Sequence, residues 1–423
     1  MIQYNNIKDK LNSKYFKDII TSLSGTTLSQ ILTIGMAPIL TRIYSPSDYG
    51  MLGIYMSITA ILFVFATLQY SQAILITKTE EEEFSVIKIC SIVTVAYSIF
   101  IAISLYLFMF FKFDFLTSSK LGGWLYILPF SIVLFGFNTI LTKLLNKHKK
   151  YKSLSISQIV TSVTTVLTSL SLGLLLNNFS GLLFGLVAGQ LIRFITLLLF
   201  SKHLLLSLKK HQGTPINHTI IKFKKFPLFT IPTEFLFGWT NQLPVYFFNA
   251  YFNTAVIGHF NYGRRMVSLP ISLITGAVGN VFAQKAADQF NKTGECQKIF
   301  NNTFKMLALL LLPFFIILSI FAPTIFSFVF GKEWLIAGSY VQILSPMFYL
   351  KAIVSPLSYM YIIKNKQDED MVLHIISFII IAFSFYLGYQ LKSDINTILF
   401  FFSFSYCLIY IYTIIRSYQF SKL

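Results

Sequence analysis

The stretch Ser24–Tyr55, SGTTLSQILTIGMAPILTRIYSPSDYGMLGIY, sets the pattern for the whole chain. Its first half has the length and apolarity of a membrane-spanning helix, which a bilayer requires because no water there can satisfy the backbone. A stripe of Ser, Thr and Gln side chains, Pro38 and Arg42 are costly in lipid. The segment Tyr44-Ser-Pro-Ser-Asp48 favours a turn and a helix cap. We therefore expect a first helix that faces a wet cavity, a turn, and a second helix.

The composition extends this interpretation to the full length. Of the 423 residues, 55% are hydrophobic and only 12% are charged, which is about half the charged share of a soluble domain. One span with its loop takes roughly 35 residues, so the length predicts about twelve helices. The predicted fold is an all-α polytopic membrane protein.

The spans divide into two sets of six. They are predicted near residues 19–43, 48–76, 85–111, 122–143, 154–176, 181–201, 226–250, 256–283, 304–329, 337–362, 371–391 and 395–416. This predicts an N-terminal six-helix bundle at 1–201, a cytoplasmic linker at 202–225, and a C-terminal six-helix bundle at 226–423. An even number of spans keeps the orientation, so the halves form a parallel, pseudo-two-fold 6+6 repeat around a central cavity.

The two halves also resemble each other weakly at the junction of their first two helices. Four residues of the first half have approximate counterparts in the second: Pro38, Tyr44, Gly50 and Tyr55 correspond to Pro244, Tyr251, Gly258 and Tyr262.

The net charge of +18 would suggest a nucleic-acid partner in a soluble protein. Here the Lys and Arg residues alternate between loops, about 25 on one side and about 5 on the other, which predicts that both termini are cytoplasmic. Topology accounts for most of the charge, so no nucleic acid is predicted. The acidic runs Glu80–Glu83 and Asp368–Asp370 lie in predicted cytoplasmic loops and are most simply solvated surface.

Cations within or at the edge of spans are the first candidates for a site, because an ionisable group at membrane depth is expensive. They are Arg42, Arg193, Arg264, Arg265 and Lys351. The alternative is snorkelling to the headgroups, which applies to Arg42 and Arg264 near predicted helix ends. A cavity lined by these cations would attract an anion, and phosphate suits the bidentate donors of arginine.

The seventh span is the second candidate. Pro232 and Pro244 soften it, which suits a bending element, and it also carries Glu234, Asn241 and Gln242. Glu234 would either take up a proton or form a structural ion pair with an arginine. We find no catalytic, nucleotide-binding or metal-ligating motif. No catalytic residue, metal or cofactor is predicted, apart from a coupling proton or sodium ion.

The opening hairpin, with Arg42 at the end of the first helix, Pro46 in the turn, and Tyr49-Gly50 entering the second helix, supports a family resemblance. It resembles the bacterial polysaccharide exporters, the Wzx-type O-antigen flippases, within the multidrug/oligosaccharidyl-lipid/polysaccharide exporter superfamily. Many relatives carry an Asp in the middle of the seventh helix, where this chain has Asn241-Gln242.

The resemblance implies a multi-pass protein of the bacterial inner membrane. It would move an undecaprenyl-diphosphate-linked oligosaccharide, such as an O-antigen unit of lipopolysaccharide, between leaflets by alternating access coupled to an ion gradient. The implied partners are this lipid-linked substrate, membrane lipids, and a polysaccharide polymerase with its chain-length regulator.

Two alternatives remain. A small-molecule antiporter of the multidrug-extrusion type would need acidic or aromatic cavity walls for cationic drugs, whereas the charges in these spans are mostly basic. A membrane polymerase or ligase would carry a large external loop, whereas the predicted outward loops are short.

Overall fold

The computed structural model describes residues 14–111, 121–176, 178–210 and 213–422, with side chains from residue 24 onward except at position 109. Within these ranges the chain forms fourteen α-helices and no strand. The helices are α1 (Lys14–Ile43), α2 (Pro46–Leu62), α3 (Glu80–Phe110), α4 (Leu128–Lys147), α5 (Tyr151–Leu176), α6 (Ser180–Lys209), α7 (Ile216–Lys222), α8 (Ile231–Tyr251), α9 (Thr254–Thr293), α10 (Gln297–Phe330), α11 (Leu335–Leu357), α12 (Tyr359–Ile363), α13 (Gln367–Gln390) and α14 (Ile395–Ser421).

Every predicted span coincides with helical structure, which confirms the all-α fold class. In the described part of the chain, nine helical segments are long and apolar enough to cross a membrane. The other three predicted spans correspond to α1, α8 and α11, which have 30, 21 and 23 residues. Many large apolar side chains on the long helices are exposed, as a lipid-facing surface requires.

The chain folds as two compact units. Unit 1 comprises the described residues up to Tyr44 together with Ile54–Gly238, and unit 2 comprises Ser45–Gly53 together with Trp239–Leu423. Within the predicted linker at 202–225, α6 continues to Lys209 and α7 occupies Ile216–Lys222. The predicted division at 1–201, 202–225 and 226–423 stays a prediction.

In unit 1, Tyr44 joins the end of α1 to α5 and α6. Its hydroxyl donates a 2.6 Å hydrogen bond to the Ser169 carbonyl, and its side chain is 1% exposed. A Cβ added at Gly173 or Gly181 would lie within 2.7 or 2.1 Å of this hydroxyl. The two glycines therefore provide the space that the tyrosine fills.

In unit 2, Trp334 is an aromatic anchor just before α11. It is fully buried, and its ring centroid lies 4.2 Å from that of Tyr262 and 5.2 Å from that of Tyr49. Tyr49 belongs to the first turns of α2, which begin with a capping box: the Ser45 backbone N–H donates to Asp48 at 2.9 Å, and the Asp48 N–H donates to Ser45 Oγ at 3.2 Å. This cap confirms that the segment at 44–48 is a turn leading into a helix.

The prediction of one continuous second span at 48–76 is wrong. Helix α2 ends at Leu62 and is followed by 3₁₀ turns at Phe63–Phe65 and Tyr70–Ile76, with Leu68 and Gln69 between them at positive φ. Polar side chains donate hydrogen bonds to backbone carbonyls at this break. Thr94 Oγ1 donates to the Ala66 carbonyl at 2.9 Å, and Gln69 Nε2 donates to the Val64 carbonyl at 3.1 Å. Apolar periodicity alone could not reveal these partners.

The interpretation of the run Glu80–Glu83 as solvated surface is wrong for Glu83. This residue is 2% exposed, accepts from Lys147 Nζ at 2.5 Å, and lies 3.0 Å from His148 Nε2. In the same run, Glu82 pairs with Lys222 of α7. The run Asp368–Asp370 lies at the surface, where Glu369 pairs with Arg416 of α14 at 2.7 Å. Carboxylates of both runs therefore tie a helix N-terminus to another helix of the same unit.

Candidate functional site

The central feature of unit 2 is a pair of cations, Arg264 on α9 and Lys351 on α11, which we call the cation pair. Arg264 Nη1 donates to the Asn241 carbonyl of α8 at 3.1 Å, and its guanidinium lies 5.5 Å from the centroid of the Phe260 ring. Lys351 is close enough for the two charges to repel each other. Three helices of one unit thus converge on a site of high positive charge.

Tyrosines from α14 complete the surroundings of the cation pair. Tyr406 and Tyr410 both interact electrostatically with Arg264, and their rings are stacked with centroids 5.4 Å apart. Neither Arg264 nor Lys351 forms an ion pair with any carboxylate in the described ranges. Arg264 is half-buried and Lys351 is exposed. The arrangement can therefore bind an anion without first breaking a salt bridge.

Helix α8 has an irregular beginning and an interrupted middle. A π-helical turn at Phe226–Thr230 precedes it, Pro232 is its second residue, and Pro244 lies inside it. Because proline has no N–H, Pro244 cannot complete the helical hydrogen bond to the carbonyl four residues earlier. The interruption lies beside the Asn241 carbonyl, to which Arg264 donates. The bending element expected from the sequence is therefore joined to the cation pair.

The other predicted residues of α8 lie around this interruption. Asn241 and Gln242 are half-buried, and Pro244 is buried. The rings of Trp239 and Tyr246 are stacked at 5.3 Å, which places them on one face of the helix. Glu234, in the first turn, is exposed and forms no ion pair within the described ranges.

The structure brings together only some of the predicted cations. Arg264, Lys351 and the backbone of Asn241 meet in unit 2, whereas Arg265 is exposed. Arg42 is exposed in the last turn of α1, in unit 1. Arg193, also in unit 1, lines a cavity of about 260 Å³ among α4, α5 and α6. The substrate-binding and coupling roles of all these residues stay predictions.

Sequence reasoning missed Tyr406 and Tyr410, because tyrosines in an apolar span usually anchor it at the interface. It also missed Asn138, Lys143 and Gln190, which line the cavity beside Arg193. A signal was present for these three, since each is a polar side chain within or near the end of a predicted span. No group of three metal-ligating side chains occurs among the described residues.

Residues 39–339 match the sequence profile of a family described as "Polysaccharide biosynthesis protein". Comparison with curated protein sequences gives no match.

Three solved structures illustrate the similarity of fold. The lipid II flippase MurJ in an inward closed conformation gives a TM-score of 0.72 at 17% identity, covering 95% of this chain and 90% of that one. An inward-facing multidrug resistance MATE family transporter of the MOP superfamily gives a TM-score of 0.68 at 11% identity, covering 95% of this chain and 97% of that one. A MOP superfamily transporter from Pyrococcus furiosus gives a TM-score of 0.58 at 13% identity, covering 95% of this chain and 93% of that one. Its binding pocket is described as having reverse polarity. These likenesses confirm the predicted two-lobe, pseudo-symmetric fold.

Proposed function

Because the chain belongs to the polysaccharide biosynthesis protein family, we propose that it is a flippase for lipid-linked oligosaccharides. The substrate is an undecaprenyl-diphosphate-linked unit, such as an O-antigen repeat, which crosses the bacterial inner membrane by alternating access. Both termini of the protein are cytoplasmic. The family match and the shared fold with a lipid II flippase and multidrug transporters support a membrane transporter rather than an enzyme.

The observation that carries the proposal is the cation pair. Two positive charges repel each other within one unit, and neither is neutralised by a described carboxylate. A diphosphate offers two phosphoryl groups to such a pair, and arginine binds phosphate oxygens through two parallel donors. Tyr406 and Tyr410 add aromatic faces suited to a sugar ring.

The same charges argue against export of cationic drugs. A drug cation next to Arg264 and Lys351 would be repelled, and neither residue forms an ion pair with a described carboxylate that could offset the repulsion. The MATE transporters therefore share the fold of this chain, while the charge of its site favours an anionic substrate.

Coupling to an ion gradient is assigned to α8. Glu234 is an exposed carboxylate without an ion pair in the described ranges, and it follows a π-helical turn and Pro232. Uptake of a proton or a sodium ion at Glu234 would change the charge at the start of α8, and Pro244 would let the helix bend. A polysaccharide polymerase and its chain-length regulator are the proteins that would use the exported unit.

The experiment is complementation of a flippase-deficient bacterial strain, scored by surface glycan and by the amount of folded protein in the membrane. Arg264→Gln and Lys351→Gln should abolish complementation, and Arg264→Lys should restore part of it. Lys292→Gln, an equal charge change in the last turn of α9, is the matched control. Wild-type failure to complement, or full complementation by both cation-pair variants, would overturn the proposal.

A further inference from the structure

The cavity inside unit 1 differs from the cation pair in place and chemistry. It is partly open, has a volume of about 260 Å³ among α4, α5 and α6, and is lined by Phe135 and by the polar residues Asn138, Thr139, Thr142, Lys143, Thr161, Gln190 and Arg193. Pockets for drug-sized ligands usually start at about 300 Å³. A cavity of this size suits a ligand smaller than a lipid-linked oligosaccharide.

Four buried polar atoms around this cavity find no hydrogen-bond partner among the described residues. They are Asn138 Oδ1, Thr142 Oγ1, Gln190 Oε1 and Arg193 Nε. The Asn138 side chain is 7% exposed, and its amide nitrogen donates to the Gln190 carbonyl at 3.0 Å. Leaving a buried polar group unpaired costs about 1–3 kcal/mol. Four such atoms around one cavity indicate that a polar ligand binds there.

The cavity also carries excess positive charge. Arg193 forms no ion pair in the described ranges, and Lys143 Nζ donates only to the neutral Gln72 Oε1, at 2.9 Å. The buried carboxylate of Glu83 is already paired with Lys147, which lies on the same helix as Lys143. Both cations are half-buried. Water would satisfy the unpaired hydrogen-bonding atoms but would not neutralise the two charges, so the lining favours an anion.

The mixture of donors and acceptors narrows the kind of anion. Arg193 and Lys143 donate, whereas the side-chain oxygens of Asn138 and Gln190 accept hydrogen bonds. A halide only accepts, and so does a fully deprotonated oxyanion. A protonated phosphate accepts hydrogen bonds through its oxygens and donates one through its hydroxyl, so it matches both the donors and the acceptors of the lining.

We propose that the cavity formed by Asn138, Lys143, Gln190 and Arg193 is a binding site for inorganic phosphate in its protonated forms. The bound anion neutralises Lys143 and Arg193 and joins α4 to α6. The inference does not depend on the proposed function, because it concerns a separate cavity and a ligand too small to be the transported substrate.

The experiment measures phosphate binding to the full chain in phosphatidylcholine nanodiscs at constant ionic strength, with gluconate as the replacement anion. Equilibrium dialysis with radiolabelled phosphate gives affinity, and size-exclusion chromatography confirms that each variant is folded. Wild-type protein should bind one phosphate saturably. Arg193→Gln and Lys143→Gln should each weaken binding at least about tenfold, as loss of a charge-assisted hydrogen bond implies. Lys152→Gln, an exposed residue of α5, should bind as wild type.

Three results would overturn the site: no saturable binding to folded wild type, equal affinity in the Arg193→Gln variant, or saturable binding of chloride but not phosphate. Should the Arg193→Gln variant not fold, Arg193→Lys and Lys143→Gln provide the same comparison. Nanodiscs containing phosphatidic acid separate a free ion from a lipid headgroup. If that lipid competes fully with phosphate, the assignment to the free ion is wrong.

Discussion

Gly50 of α2 and Gly258 of α9 face each other with matching contacts. A Cβ at Gly50 would lie 1.8 Å from the Thr254 carbonyl oxygen, four residues before Gly258. A Cβ at Gly258 would lie 1.7 Å from the Pro46 carbonyl oxygen, four residues before Gly50. The two helix N-termini therefore cross with a local two-fold symmetry, and neither glycine leaves room for a methyl group.

This crossing predicts that Gly258→Ala destabilises the protein, by about 1–3 kcal/mol, because the backbones must separate. The measurement is the melting temperature of the purified protein in nanodiscs. Gly276→Ala is the control on the same helix, since an added Cβ there meets nothing within 4 Å. Equal melting temperatures for the two variants would show that the crossing is not tight.

The buried carboxylate of Glu83 gives a second prediction. Glu83→Gln should lower the free energy of unfolding by about 1–3 kcal/mol, because the neutral amide removes the counter-charge of Lys147 and leaves one acceptor oxygen where Lys147 and His148 now contact two. Glu81→Gln removes the same charge from an exposed position two residues away and should have little effect. The comparison is made by thermal unfolding, and a loss of equal size in the two variants would contradict it.

Tyr44 gives a third prediction. Tyr44→Phe keeps the packing against Gly173 and Gly181 but leaves the Ser169 carbonyl without this donor, at a cost of about 1–2 kcal/mol. Tyr126→Phe, at an exposed position of the same unit, is the control and should melt as wild type. An unchanged melting temperature for Tyr44→Phe would mean that packing alone holds α1 in place.

Coupling at α8 gives the fourth prediction. Glu234→Gln should lower the glycan export rate at least about tenfold, or about 1.4 kcal/mol of activation free energy, with normal protein levels in the membrane. The reason is that glutamine cannot take up a proton or bind a sodium ion by charge. Glu333→Gln, which changes an exposed carboxylate of unit 2, should export normally. Normal export by Glu234→Gln would remove this residue from the mechanism.

The structure was most predictable from the sequence where a feature depends only on periodicity and composition. The helical character of most predicted spans, the turn at Ser45–Asp48 and the correspondence of Gly50 with Gly258 were predictable, because each depends on local pattern or on the repeat.

The site was less predictable, because it depends on which faces of distant helices meet. Arg264 and Arg265 are adjacent in the sequence but differ in their surroundings: the first is half-buried and donates to α8, whereas the second is exposed. Lys351 is 87 positions from Arg264 along the numbering, and no local pattern links the two. The burial of Glu83 likewise depends on Lys147 and His148 in another helix.

The break after α2 has a consequence for the order in which the chain assembles during synthesis. The irregular residues 63–76 form backbone hydrogen bonds among themselves, Thr94 of α3 adds one to the Ala66 carbonyl, and Phe63 stacks on Phe135 of α4 at 4.0 Å. An irregular backbone is costly in hydrocarbon unless its polar groups are paired or covered by protein. The second span therefore gains these two stabilising contacts only after α3 and α4 have been made.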